Sequence, residues 1–197
     1  MSSGPSEDQD RADMEQLAAG HDPALNSLME RHGNRLLQFL LRELGSEAEA
    51  ADLAEEAFVR VYQHCRRFDL QRKFSTWLYA IAANLVRDRY RWRTRHPEVS
   101  ANAPGLGQEA EWLGQLPDSK PSPGENLEAS ERTAAVRSAI GALPEELKTP
   151  LVLSEFEGLA NAEIAEVLGC SAKAVEMRLY RARQQLRGQL VGLCSPV

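Results

Sequence analysis

Between His96 and Asn126 the chain is a poor candidate for regular structure. Five of its ten prolines (Pro97, Pro104, Pro117, Pro121 and Pro123) and four glycines (Gly105, Gly107, Gly114 and Gly124) fall there. Proline removes a backbone donor, and glycine loses the most conformational freedom on ordering. The stretch is also acidic, with Glu98, Glu109, Glu111, Asp118 and Glu125 against Lys120 alone. It reads as a flexible acidic linker over 96–126, with Trp112 and Leu113 as a brief helical or docking contact. Whatever folds must therefore fold on either side of it. A chain of 197 residues has room for two small domains.

Both flanks carry helical periodicity. Leu25, Leu28, Met29, Leu36, Leu37, Leu40 and Leu41 recur at spacings of 3, 4 and 7, as an amphipathic helix or helix pair does. Pro23 behind Asp22 suits a first helical residue, and Gly45-Ser46 supplies a stop and a new cap. Ala54, Ala57, Phe58, Val61 and Tyr62 form a second stripe, and Phe74, Trp77, Leu78, Ile81 and Leu85 a third. Beyond the linker, Val136, Ile140 and Leu143 align, Pro144 can open a helix, Pro150 lies inside that helix and Gly158 would end it. The predicted fold class is all-α, with two small helical domains. The expected organisation is a disordered acidic N-terminus (1–13), a three- or four-helix domain (14–95), the linker (96–126), a second helical domain (127–190) and a tail (191–197).

The formal net charge of -6 conceals strong segregation. Residues 1–65 hold 5 basic and 13 acidic side chains, whereas 66–95 hold 9 and 2. Residues 96–170 hold 4 and 13, and 171–197 hold 5 and 1. Two compact basic segments in an acidic chain point to local phosphate contacts on separate surfaces. Other classes recede. No run approaches the about 18–20 apolar residues of a membrane helix. Met1 to Asp13 lacks the basic and apolar regions of a signal peptide, so a cytoplasmic protein is expected. Cys65, Cys170 and Cys194 are odd in number and form no C-x-x-C pair, which argues against a disulfide scaffold or zinc knuckle. His21, His32, His64 and His96 are scattered. Neither a metal nor a cofactor is indicated, and nothing suggests an enzyme.

The sharpest local motif runs from Asn161 to Arg183. Ile164, Ala165 and Leu168 form an apolar stripe, Gly169-Cys170-Ser171 breaks it, and Ser171 can cap a second helix. In that helix Val175, Leu179, Ala182 and Leu186 face inward. Lys173, Glu176, Met177, Tyr180, Arg181 and Gln184 are left outside. Two helices joined by a tight glycine turn, the second with a basic outer face, make a helix-turn-helix that can enter a major groove. The other basic segment interleaves Arg66, Arg67, Arg72, Lys73, Arg87, Arg89, Arg91, Arg93 and Arg95 with Phe68, Phe74, Trp77, Tyr79, Tyr90 and Trp92. Arginine neutralises phosphates and aromatic faces stack unpaired bases, which suits single-stranded or melting DNA. Asn84, Arg87 and Arg91 recur at i, i+3 and i+7 on the exposed side of that helix.

These residues resemble the bacterial extracytoplasmic-function (ECF, group 4) sigma factors of the sigma-70 family. Asp52-Leu53-Ala54-Glu55-Glu56-Ala57-Phe58-Val59-Arg60-Val61-Tyr62 looks like region 2.2. Phe68 to Arg95, containing Phe74-Ser75-Thr76-Trp77-Leu78-Tyr79 and Asn84, looks like regions 2.3 and 2.4. Leu143-Pro144-Glu145-Glu146 through Arg183 looks like region 4. The blocks keep their order across roughly residues 24–190.

The resemblance implies a factor that binds core RNA polymerase and directs promoter-specific initiation. It implies that Asp52, Glu55, Glu56 and Arg60 dock on the clamp helices of the β′ subunit, with region 4 meeting the β flap. Phe68, Gln71, Arg72, Lys73, Trp77, Asn84, Arg87 and Arg91 would meet the −10 element. Among these, Phe68, Gln71 and Asn84 would take the base contacts, since an extruded base exposes its Watson–Crick edge. Lys173, Glu176, Met177, Arg178, Tyr180 and Arg181 would meet the −35 element. Lys173-Ala174-Val175-Glu176-Met177-Arg178 stands where many members read Gly-Thr-Val-Lys/Arg-Ser-Arg, so Glu176 departs from the common pattern. Ala160 stands in place of the usual serine cap, with Asn161 as its substitute. An anti-sigma factor is the further implied partner. A stand-alone helix-turn-helix regulator is the alternative; it accounts for 127–190 but not for the two N-terminal blocks.

Overall fold

The computed structural model describes residues 5–97 and 133–190. Among the described residues every regular element is helical, as the periodicities predict. Most of the linker and the whole tail, with Trp112, Leu113 and Cys194, lie outside the described residues.

The first unit holds α1 (Pro5–Ala18), α2 (Pro23–Leu44), α3 (Glu47–His64), a 3-10 turn (Cys65–Arg67) and α4 (Phe74–Arg95). One long helix, not a pair, carries the leucine repeat; Leu28, Leu36, Phe39 and Leu40 are fully buried on it. Gly45 ends α2 at φ +70° and its N–H bonds to the Leu41 carbonyl. Only glycine takes that conformation without strain. Ser46 then caps α3, its Oγ accepting from the Glu49 N–H at 3.4 Å. Ala50, Leu53, Ala57, Phe58 and Val61 of α3 face the core, as do Phe74, Leu78, Ala82, Leu85 and Val86 of α4. Tyr62, expected on the buried stripe of α3, is 47% exposed instead. The nearby Asp22 carboxylate, just before α2, pushes its phenol up.

The N-terminus also departs from expectation. From Pro5 onward it is helix, not a disordered acidic segment. Met14 and Leu17 are buried, and so are Asp10 and Asp13. Arg31 reaches both carboxylates, and His32 Nε2 lies 2.9 Å from Asp10. The charges that made this segment look solvated are turned inward and paired, which offsets their desolvation.

The second unit holds α5 (133–141), α6 (Glu145–Glu155), α7 (Asn161–Leu168) and α8 (Ala172–Leu190). Its core joins Ile140, Leu143, Leu147, Leu151, Ile164, Val175, Leu179 and Ala182. Pro150 sits inside α6 and is buried. Asn161 is not the cap of α7 but its first residue; the cap is Ala160, whose N–H is satisfied by Glu163 Oε2 at 2.9 Å. That is the carboxylate half of a capping box.

The two units pack face to face, α6 on α2 and α4, and α7 on α4. Two buried carboxylates, one from each unit, fix this packing. Glu43 of α2 accepts from Thr149 Oγ1 at 3.2 Å, and its backbone carbonyl receives Lys148 Nζ at 2.6 Å and Tyr90 Oη at 2.5 Å. Glu157, just beyond α6, points the opposite way. Tyr79 Oη donates to it at 2.5 Å and Arg42 at 3.3 Å, while Arg35 donates to its backbone carbonyl at 3.0 Å. Apolar packing continues across the boundary as one core. Directional bonds between buried groups select one register of the two units, because any other leaves them unpaired at about 1–3 kcal/mol each.

Candidate nucleic-acid and polymerase interface

Three surfaces carry the residues singled out in the sequence. The first is the outer side of α3. With Ala50, Leu53, Ala57 and Val61 turned inward, Asp52 and Glu55 are exposed and Glu56 and Arg60 half-buried. Arg60 Nε donates to Glu56 at 2.9 Å one turn away. Val59 and Tyr62, each 47% exposed, give this charged side an apolar seam. An acidic helix with exposed apolar side chains is suited to dock on another protein.

The second surface is the loop from Phe68 to Lys73 and the adjoining side of α4. Asp69 shapes the loop: its Oδ1 accepts from the Gln71 N–H and its carbonyl from the Arg72 N–H, both at 2.9 Å. Arg11 of α1 donates to the Leu70 carbonyl at 3.1 Å. The Phe68 ring lies 5.0 Å from Trp77, which leans in turn on Phe74. Trp77 is thus half core and half surface. Gln71, Arg72 and Lys73 are exposed. Asn84 is exposed on α4, its Oδ1 accepting from Arg87 Nη1 at 2.9 Å, with Arg91 on the same side. Not every arginine of the basic segment turns this way. Arg89 and Arg93 point to α3 and share the two oxygens of Glu49, so they are structural.

The third surface is the outer side of α8. Gly169 turns the chain at φ +63°, and Ser171 Oγ accepts from the Ala174 N–H at 3.2 Å. Val175, Leu179 and Ala182 are buried, and Lys173, Glu176, Met177, Tyr180 and Arg181 are exposed. Glu176 is bound to Lys173 at 2.8 Å, which tempers its repulsion of a phosphate. Arg178 departs from this outward group. It is half-buried, donates to Cys170 Sγ at 3.7 Å, and lines a cleft shared with Arg87, Arg91, Glu145 and Glu146.

Sequence reasoning missed the groups at the boundary between the units. Burial pushes the Glu43 carboxyl up to about 7, against the pull of Lys148 and Thr149. The same burial pushes the Lys148 ammonium down. Acids of the second unit also face cations of the second surface: Glu166 meets Arg72, Glu163 lies 3.1 Å from Lys73, and Glu145 lies 3.9 Å from Arg87. Glu7 of α1 is the other partner of Lys73, at 2.9 Å. Inward charge on an apolar stripe was the available signal, since Glu43 follows Leu36, Leu40 and Phe39 at helical spacing.

The helical first unit with its basic α4, followed by a helix-turn-helix unit, has the architecture of sigma-70 factors. Residues 28–96 match the model of Sigma-70 region 2, and 133–186 match that of Sigma-70, region 4. The ECF RNA polymerase sigma factor SigW of Bacillus subtilis is 33% identical over 90% of this chain and 94% of its own. RNA polymerase sigma factor CnrH of Cupriavidus metallidurans is 36% identical over 93% and 95%. A solved structure of CnrH, in complex with the cytosolic domain of CnrY, superposes with a TM-score of 0.66 at 30% identity, covering 95% of this chain and 99% of that one. The chain belongs to the ECF sigma factors, and it is an RNA polymerase sigma factor. Sigma factors are transcription initiation factors rather than catalysts. No helix among the described residues is long and apolar enough to cross a membrane.

Proposed function

We propose that this sigma factor works in the cytoplasm, divided among its three surfaces as follows. Asp52, Glu55, Glu56 and Arg60 dock on the clamp helices of the polymerase β′ subunit, and the second unit meets the β flap. Phe68, Gln71 and Asn84 contact bases of the −10 element. Arg72, Lys73, Arg87 and Arg91 hold its backbone, and Trp77 is the stacking platform behind the loop. Lys173, Glu176, Met177, Tyr180 and Arg181 meet the −35 element, with Arg178 on the backbone. The factor supplies no catalytic group and needs no cofactor of its own. An anti-sigma factor completes the set of partners; CnrH has been solved with the cytosolic domain of CnrY.

One observation carries this division: Asn84, Arg87 and Arg91 lie along one side of α4, while the pair Arg89 and Arg93 is committed to Glu49 on the other. A helix whose arginines were only solvating would have no reason to separate them. Run-off transcription with bacterial core polymerase tests it, on genomic fragments that include the protein's own upstream region. Asn84→Ala should abolish transcripts while leaving the complex with core intact. Glu56→Arg should weaken the complex itself. Transcripts unaffected by either change would refute the assignment.

A further inference from the structure

We propose, on the −10 assignment of α4 made above, that Trp92 and His96 at the far end of this helix form a stacking platform for one further base of the melted strand. Trp92 takes no part in the apolar core and is 38% exposed. Its indole and the His96 imidazole lie nearly parallel, with centroids 4.8 Å apart and 23° between their planes. His96 is held there by two bonds to the Trp92 carbonyl, one from its backbone N–H and one from ring Nδ1, each at 3.0 Å. The two rings are thus stacked before any ligand arrives, and a third ring laid on them costs little further ordering.

The platform continues the side of α4 already assigned to DNA. At about 100° per residue, Arg87, Arg91, Asn84, Arg95 and Trp92 fall within one arc of roughly 140°. Asn84, Arg91, Arg95 and Trp92 are all exposed. Arg95 spends only Nε on the Arg91 carbonyl, at 3.3 Å, and so can hold a phosphate beside the rings. Asp88 lies in the same arc, and Arg91 at 3.8 Å offsets its charge. Trp77, at the opposite end of the helix, is committed instead to Phe68 and Phe74.

Trp92 stands eight residues beyond Asn84, which is about 12 Å along the helix axis. At about 3.4 Å per stacked nucleotide, a strand held along the arginines brings to Trp92 a base within about four places of the one at Asn84. Every base has a π face, so an indole accepts any of them. Asn84 therefore reads sequence, whereas Trp92 fixes the register of the strand along α4.

The test uses the full chain assembled with bacterial core polymerase, and the promoter that run-off transcription defines. That promoter is made as two forks, each with one strand of the −10 segment unpaired. A single abasic site is placed at each unpaired position in turn, and competition measures affinity. The wild type should lose about tenfold at one position, within about four nucleotides of the base that Asn84→Ala ceases to distinguish; this is the range of one base stacked on an aromatic ring. Trp92→Ala should lose about tenfold on the intact fork and nothing further from that abasic site. Trp92→Phe, which restores a ring, should recover most of the loss. Trp92→Leu, which keeps apolar bulk without the ring, should behave as the alanine variant does and replaces it if that one fails to fold.

Binding by Trp92→Ala and Trp92→Leu equal to wild type would overturn the platform. So would an undiminished penalty at the abasic position in those variants, or full recovery by Trp92→Leu. Failure of the −10 assignment is distinguishable: Asn84→Ala would then show no base-specific loss either, whereas failure of the platform alone leaves the Asn84 effect in place.

Discussion

Glu43→Gln should abolish a specific part of the protein's pH dependence. The residue is 1% exposed, one carboxylate oxygen accepts from Thr149 and the other has no hydrogen-bond partner among the described residues. Burial raises it from 4.5 to about 7, Lys148 and Thr149 oppose that rise and Glu145 adds to it. A carboxyl raised by folding stabilises the folded protein fully below its unfolded value, near 4.5, and that contribution is lost as pH rises through about 7. The difference between the two values corresponds to about 3 kcal/mol, at roughly 1.4 kcal/mol per pH unit. Glutamine is neutral throughout, and Lys148 keeps its bond to the backbone carbonyl of residue 43. The variant should therefore match the wild type near pH 4.5 and exceed it by about 3 kcal/mol near pH 8. Urea unfolding followed by circular dichroism across that range measures the difference. A wild-type-minus-variant stability that is constant with pH would refute the assignment of the buried charge.

Other perturbations follow from the packing. Ala160→Ser should stabilise the second unit by about 1 kcal/mol, because the residue already has cap geometry but no side-chain acceptor; a thermal melt reads this. Phe39→Ala removes a fully buried ring that meets Tyr79 edge-on at 5.3 Å, and a loss of about 3–5 kcal/mol is expected in denaturant unfolding. Glu49→Ala leaves Arg89 and Arg93 without their shared acceptor. It should cost about 1–3 kcal/mol while leaving oligothymidine binding nearly unchanged, which separates these arginines from Arg87 and Arg91.

Helix positions were legible because each buried stripe repeats locally, as with Leu28, Leu36 and Leu40, or Val175, Leu179 and Ala182. Turn chemistry was legible for the same reason: Gly45-Ser46 and Gly169-Cys170-Ser171 act within one turn of the chain. Two kinds of feature escaped. Asp10 and Asp13 read as solvated charge because their partners, Arg31 and His32, lie on another helix. Lys148 and Glu43 are 105 residues apart in sequence, and nothing periodic connects them. A buried ion or hydrogen bond is a statement about two surfaces, and local pattern describes only one. The outward residues of α3, α4 and α8 could be selected from pattern and resemblance together. That Arg178, beside the buried stripe of α8, takes Cys170 as its partner and lines the cleft with Arg87 and Arg91 could not, since it depends on where α4 comes to rest.

The two buried carboxylates point in opposite directions, Glu43 from the first unit into the second and Glu157 from the second into the first. Each half of the chain therefore carries both a key and a keyhole. In a chimera joining the first unit of this protein to the second unit of a relative, Glu43 would face a foreign side chain in place of Lys148 and Thr149. The slot of Arg35, Arg42 and Tyr79 would likewise await a carboxylate the relative need not supply. A hybrid whose second half lacked those groups would lose the directional bonds that set the register of the two units.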